Sequence, residues 1–319
     1  MKGTINVDAQ VVDLLESIRA KMVELEHPPL DELTPQQSRN YYQVARSYFT
    51  VLPVEGVPVE DSCFQGRAGH DIPVRIYKPE GRGPFPVLIY FHGGGWVFGD
   101  LNSSDNVCRY ISKHAQTIVV SVGYRLAPEH TYPAAFHDAI DAVRWTSHQL
   151  EEWNGDMARL AVGGESSGGN LAAAAAIYFR DTKELELSCQ FLITPVLDYN
   201  FDTQSYQANY QYNLTNEKMK WFFNHYLNDP ADGEDVYVSP LRLQNLTKLP
   251  RTLLVTAEFD PLREEGFSYG IRLEAFGVEV DLLHYEDLVH SFINMIGVVE
   301  RSHQALDETT KKLKEILHA

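Results

Sequence analysis

Gly164-Glu165-Ser166-Ser167-Gly168 stands between an apolar, strand-like run and an alanine-rich, helix-like run, which is the setting of a nucleophile elbow. Glycines flanking the serines permit a tight turn that a Cβ would obstruct, so the Ser166 hydroxyl projects from it. A serine alcohol is a weak nucleophile at neutral pH. It needs a histidine to take its proton and an acid to orient that histidine. His290, beyond the apolar run 280–284, is the candidate base, and Asp260, in Phe259-Asp260-Pro261-Leu262 beyond the run 252–256, is the candidate acid. Glu258 and Asp287 are rival acids, but Glu258 reads as part of the strand end and Asp287 lies too near His290 in sequence.

His92-Gly93-Gly94-Gly95-Trp96 follows another apolar run, and consecutive glycines let backbone N–H groups approach a substrate oxygen closely. Gly93 and Gly94 from this loop, with Ser167 from the residue after the nucleophile, form a candidate oxyanion hole. His92 precedes the glycines and reads as a residue that shapes the loop. Tyr124, Arg125 and Glu129 read as a buried polar network that braces it. A phosphate cradle is disfavoured: no Walker lysine follows either glycine cluster, and the G-x-G-x-x-G spacing is not met.

These groups need a scaffold that gathers them at one edge. After about residue 57, short β-branched runs alternate with helical stretches, the pattern of a mostly parallel sheet covered by helices. Eight strands are predicted: 57–64 and 72–77 as a hairpin, then 87–91, 118–123, 160–163, 190–194, 252–256 and 280–284. Covering helices are predicted at 106–114, 134–150, 170–179, 267–276 and 303–317. Two regions break the alternation. Residues 1–50 carry a helical stripe of Val12, Leu15, Ile18, Met22 and Leu25, and 198–235 is an aromatic insertion holding Trp221. Together they read as a helical cap over a core of 51–197 and 236–319.

With 319 residues, 44% of them hydrophobic, the chain can bury a large core. Its formal charge of -17 disfavours a nucleic-acid partner, because phosphate binding draws on clustered Lys and Arg. The longest apolar stretch, 171–179, is far short of the roughly 20 residues that span a bilayer. No secretory pattern interrupts the charged start, where Lys2, Asp8, Asp13 and Glu16 are interspersed, so a cytoplasmic protein is expected. Cys63, Cys108 and Cys189 are widely spaced and odd in number, which points to reduced, buried thiols rather than a disulfide framework or a zinc cluster. A homodimer joined by an edge strand is compatible with this pattern, though nothing in the sequence specifies it.

The order Ser166, Asp260, His290 is the one used by α/β-hydrolases and differs from the trypsin-like and subtilisin-like orders. Along nearly its whole length the chain resembles the hormone-sensitive-lipase-like carboxylesterases, an α/β-hydrolase branch of bacterial acetyl esterase type. The residues that carry the resemblance are His92–Trp96, Tyr124-Arg125-Leu126-Ala127-Pro128-Glu129-His130, Tyr132-Pro133-Ala134-Ala135 with Asp138, Gly164–Gly169, and Asp260-Pro261-Leu262. The resemblance implies the serine triad, the triple-glycine oxyanion hole, a cap from the two misfit regions, and no cofactor. Glu165 stands where aspartate is commoner, Ser167 where alanine is usual, and Ser291 where glycine is frequent after the histidine. The expected activity is hydrolysis of small acyl esters, from acetyl to hexanoyl, with Trp96 and the aromatic insertion confining the acyl pocket. The rate is expected to climb through an apparent pKa of about 6 to 7 unless the acidic surroundings shift it. An amidase or thioesterase would use the same triad. A non-catalytic small-molecule receptor is the remaining alternative, disfavoured because His290 is intact.

Overall fold

The computed structural model describes residues 6–49, 52–208 and 211–319. Met1 and Lys2 of the N-terminal reading, and position 50 at the expected cap boundary, lie outside the described residues. The described strands form one sheet: β1 (Val59–Gln65), β2 (Asp71–Tyr77), β3 (Phe85–Phe91), β4 (Ile118–Val122), β5 (Gly155–Glu165), β6 (Cys189–Ile193), β7 (Arg251–Phe259) and β8 (Val280–Val289), in the order β1-β2-β4-β3-β5-β6-β7-β8. β2 is antiparallel to both its neighbours, and every pair from β4 to β8 is parallel. The sheet is therefore eight-stranded and mostly parallel, as expected.

Parallel strands covered on both faces need apolar side chains on both. In β3, Val87, Ile89 and Phe91 join one core layer while Leu88 and Tyr90 join the other, which is the alternation a period of two imposes. The first layer takes side chains from α4 (Ala134–Trp153), α5 (Ser167–Thr182) and α8 (Arg263–Ala275); the second from α3 (Asp105–Ala115) and α9 (Glu300–Leu317). In α5 the run Ala172–Ala176 is buried throughout. Alanine has the highest helix propensity and adds no bulk, so this helix can lie close against the sheet.

Several strands run beyond their expected bounds, β5 and β8 furthest. β5 begins at Gly155, where the chain leaves α4 through the left-handed Asn154 and pairs at once with Phe85. Its first residues are partly or fully exposed, so they carry no apolar signature. β8 continues to Val289, which delivers His290 directly at the strand end.

The remaining helices lie outside the alternation: α1 (Ala9–Glu24), α2 (Pro35–Arg46), α6 (Gln204–Ala208) and α7 (Asn216–Tyr226). α2 opens on a capping box between Thr34 and Gln37 with Pro35 at its start, which satisfies the orphan N–H groups of the first turn. In α1 the sheet side is held by Val11 and Leu14, whereas Leu15, Ile18 and Met22 of the expected stripe border a cavity. Leu25, counted in that stripe, is the C-cap and is exposed. Among the described residues no helix is long and apolar enough to cross a membrane. All the cysteines are free; Cys108 and Cys189 are buried as expected, but Cys63 is exposed on β1, the edge strand.

Candidate active site

Ser166 occupies the turn between β5 and α5 with φ 57° and ψ −118°. This is a sparsely populated conformation for a residue with a Cβ, and holding it costs about 1–3 kcal/mol. Its surroundings impose it: Ser166 N donates to Ile193 O at 2.9 Å, and its own carbonyl accepts from Asn170 N and Val196 N. Gly168 must be glycine, because a Cβ there would run into the Phe91 carbonyl of β3.

His290 Nε2 lies 2.9 Å from Ser166 Oγ, and Nδ1 lies 2.8 Å from Asp260 Oδ2. A carboxylate only accepts, so Nδ1–H donates to Asp260 and the neutral ring leaves Nε2 free to take the serine proton. The other Asp260 oxygen accepts from Leu262 N at 2.9 Å, which fixes the carboxylate. All three side chains are buried. Burial pulls the His290 pKa down, but the charge and hydrogen bond of Asp260 outweigh it, so the pKa ends above the ordinary 6.5. The rival acids face elsewhere: Glu258 pairs with Arg263 and His284, and Asp287 with Arg301.

Gly93, Gly94 and Ser166 border one cavity of about 300 Å3 together with His290. Among the described residues the loop N–H groups of Gly93 and Gly94 have no backbone acceptor, and Ser167, as first residue of α5, presents one of that helix's unpaired N–H groups. The loop is braced from behind. Tyr124 donates to His92 O at 2.8 Å and stacks on the His92 ring, and His92 Nδ1 donates to Gly93 O at 2.8 Å. Burial pushes the His92 pKa down to about 4, so the ring is neutral and serves as a brace.

Three expectations need correction. Glu129 is exposed, so it belongs to no buried network; it holds Arg39 of α2, which also donates to Val97 O and Ala127 O and so fastens that helix to the loop. Arg125 is likewise only partly buried and is committed to Asp138 rather than to the loop. Trp96 does not border the cavity: it is fully buried and stacks on Tyr226 with ring centroids 4.1 Å apart. Phe98 and Phe222, with Tyr41, Tyr42 and Phe49, are the aromatic residues that border the cavity instead. Ser291 keeps the turn that glycine would make, at φ 61°.

Glu165 is buried and accepts from Ser291 Oγ and from Asn294 Nδ2, so it ties the serine turn to the histidine loop. Asn294 was not visible beforehand, nor was Asn213, whose Nδ2 donates to the His290 carbonyl at 3.1 Å. Neither stands in a motif, and both act across long sequence separations. Glu265 of α8 likewise accepts from Leu197 N and Asp198 N where the insertion leaves the core. No cluster of side chains suited to a metal ion occurs among the described residues.

A family model of the α/β-hydrolase fold matches residues 88–294. The chain belongs to this family, in its hormone-sensitive-lipase-like branch. It is 39% identical to a carboxylic ester hydrolase of Mycobacterium tuberculosis over 81% of this chain and 70% of the relative. An ethyl acetate hydrolase of Pseudomonas putida is 34% identical over 91% of this chain and 92% of its own. Among solved structures, an ester hydrolase from the Lake Arreo metagenome superposes with a TM-score of 0.92 at 33% identity, covering 98% of this chain and 100% of the other. A thermostable esterase of Pseudomonas putida gives 0.91 at 33% identity over 99% of each.

Proposed function

We propose that this chain is a serine carboxylesterase that hydrolyses short-chain acyl esters through an acyl-enzyme on Ser166. The observation that carries the reading is the unbroken Asp260–His290–Ser166 hydrogen-bond chain opening onto a cavity bordered by the triple-glycine loop. The similarity to named ester hydrolases supports the same reaction. Ser166 Oγ attacks the ester carbonyl carbon as its proton passes to His290 Nε2, and Asp260 stabilises the imidazolium. Gly93, Gly94 and Ser167 N–H groups hold the oxyanion. Collapse breaks the carbon–alkoxy bond, and the imidazolium protonates the departing alcohol. Water then attacks the acyl-enzyme, giving its proton to His290, and the carboxylic acid leaves as Ser166 regains its hydrogen.

In this reading the described residues within 1–50 and 198–235 form a helical cap and the other described residues the catalytic core; the cavity borders contributed by α1, α2 and α7 support it. Phe98 and Phe222 limit the acyl chain, and faster cleavage of emulsified triolein than of a soluble butyrate ester would overturn the short-chain preference. The reading extends to a cytoplasmic location, tested by cell fractionation. It extends also to a homodimer, supported by the open β8 edge with Leu282 exposed and tested by light scattering. The central test is p-nitrophenyl acetate and butyrate turnover beside a fluorophosphonate probe. Ser166→Ala should lose both turnover, by at least about 10,000-fold, and the label; retained labelling would show a different nucleophile.

A further inference from the structure

The cavity border carries Arg46 and Lys218 against a single carboxylate, Glu165, in a chain whose net charge is -17. Glu165 is already occupied, one oxygen by Ser291 and the other by Asn294. Arg46 lies against the rings of Tyr42 and Phe49. Lys218 differs from the other lysines that have acidic partners: among the described residues it makes no ion pair, and its Nζ donates to the Asn213 carbonyl at 2.8 Å. An ammonium has three N–H donors. The same Asn213 donates through its side chain to the His290 carbonyl at 3.1 Å, so the lysine is held at a set position relative to the catalytic histidine. Burial pulls the Lys218 pKa below the ordinary 10.5, and among the described residues no ion pair to Lys218 offsets that cost.

We propose that Lys218 is a substrate-recognition residue that binds a carboxylate carried by the ester, so that the preferred substrates of this enzyme are small esters with a free acid group. The inference rests on the esterase reading above and names the substrate class of that same site. A hydrogen-bonded ammonium–carboxylate contact at a partly buried site is stronger than a neutral one, and the surplus of cations at the border favours an anion over a neutral isostere. The carboxylate could sit on the acyl side, as in a hemiester of a dicarboxylic acid, or on the alcohol side, as in an acylated hydroxy acid.

The test compares monoethyl succinate with ethyl succinamate, and 3-acetoxypropanoate with 3-acetoxypropanamide, by kcat/KM. Wild type should favour the acid over its amide by about tenfold or more in one pair, and which pair responds identifies the side. Lys218→Met should bring that ratio to about one, with the loss in KM, while Lys218→Arg should keep it above one. A purely structural lysine would lower acid and amide alike and leave the ratio unchanged, which overturns the inference. Should Lys218→Met fail to fold, the wild-type ratios still decide. Wild type that labels at Ser166 and cleaves the amides as fast as the acids retains the esterase reading and rejects the carboxylate one. Wild type with neither label nor turnover rejects both.

Discussion

Ser291 and His290 show how much of the chemistry is set by single residues. Ser291 holds φ 61°, where glycine is favoured, and its hydroxyl compensates by donating to Glu165. Ser291→Ala should therefore be the worse replacement, about 1 kcal/mol less stable than Ser291→Gly by thermal unfolding, because it keeps the left-handed backbone and loses the hydrogen bond. For His290 the active form is the neutral ring. Since Asp260 raises its pKa, kcat/KM should rise with pH through a limb above 6.5, as pH passes the raised pKa and the imidazolium gives up its proton. Asp260→Asn removes the opposing charge and leaves burial, so the limb should move below 6.5 while kcat falls by about 10,000-fold. An unmoved limb would mean that another group titrates.

At the scale of elements, the question is what keeps the cap-side helices on the catalytic end. Arg39 is the main fastening of α2: it reaches two loop carbonyls as well as Glu129. Glu129 is more than half exposed, and an exposed ion pair contributes only about 0–1 kcal/mol. Its carboxyl is held down at about 2 by the Arg39 hydrogen bond, so the pair persists through neutral pH. Arg39→Ala should raise KM several-fold and lower stability by about 1–3 kcal/mol, whereas Glu129→Ala should do little of either. Equal effects in the two variants, by urea unfolding and ester kinetics, would show that the ion pair rather than the carbonyl contacts fastens the helix.

Over the whole molecule, the double-sided sheet decides what solvent reaches. Cys108 and Cys189 face the second core layer, and burial pushes the Cys189 thiol up to about 12 and the Cys108 thiol higher still. Cys63 lies exposed on the antiparallel edge strand. A thiol reagent such as dithionitrobenzoate should therefore titrate one cysteine in the native protein and all three after denaturation, since only thiolate at an accessible site reacts. Fast reaction of a second thiol in the folded state would mean that the sheet opens locally.

The strand sequence and the triad were legible because each is a local signal. Buried parallel strands read as apolar runs, and Ser166, Asp260 and His290 each follow one, so chain order alone put them at the same edge. Local patterning could not show that β5 starts at Gly155, because its exposed beginning is defined by pairing with Phe85 rather than by hydrophobicity. Nor could it show that Trp96 turns into the core, that Glu129 acts through Arg39, or that Asn213 and Lys218 stand beside the histidine. All but the Lys218–Asn213 contact join residues far apart in sequence, and each takes its place only when the sheet and the cap-side helices pack. The types of chemical group and their order were determined by the sequence; which groups face the cavity, and with what partners, was decided by the tertiary structure, because side-chain direction depends on backbone angles and packing that no short motif encodes.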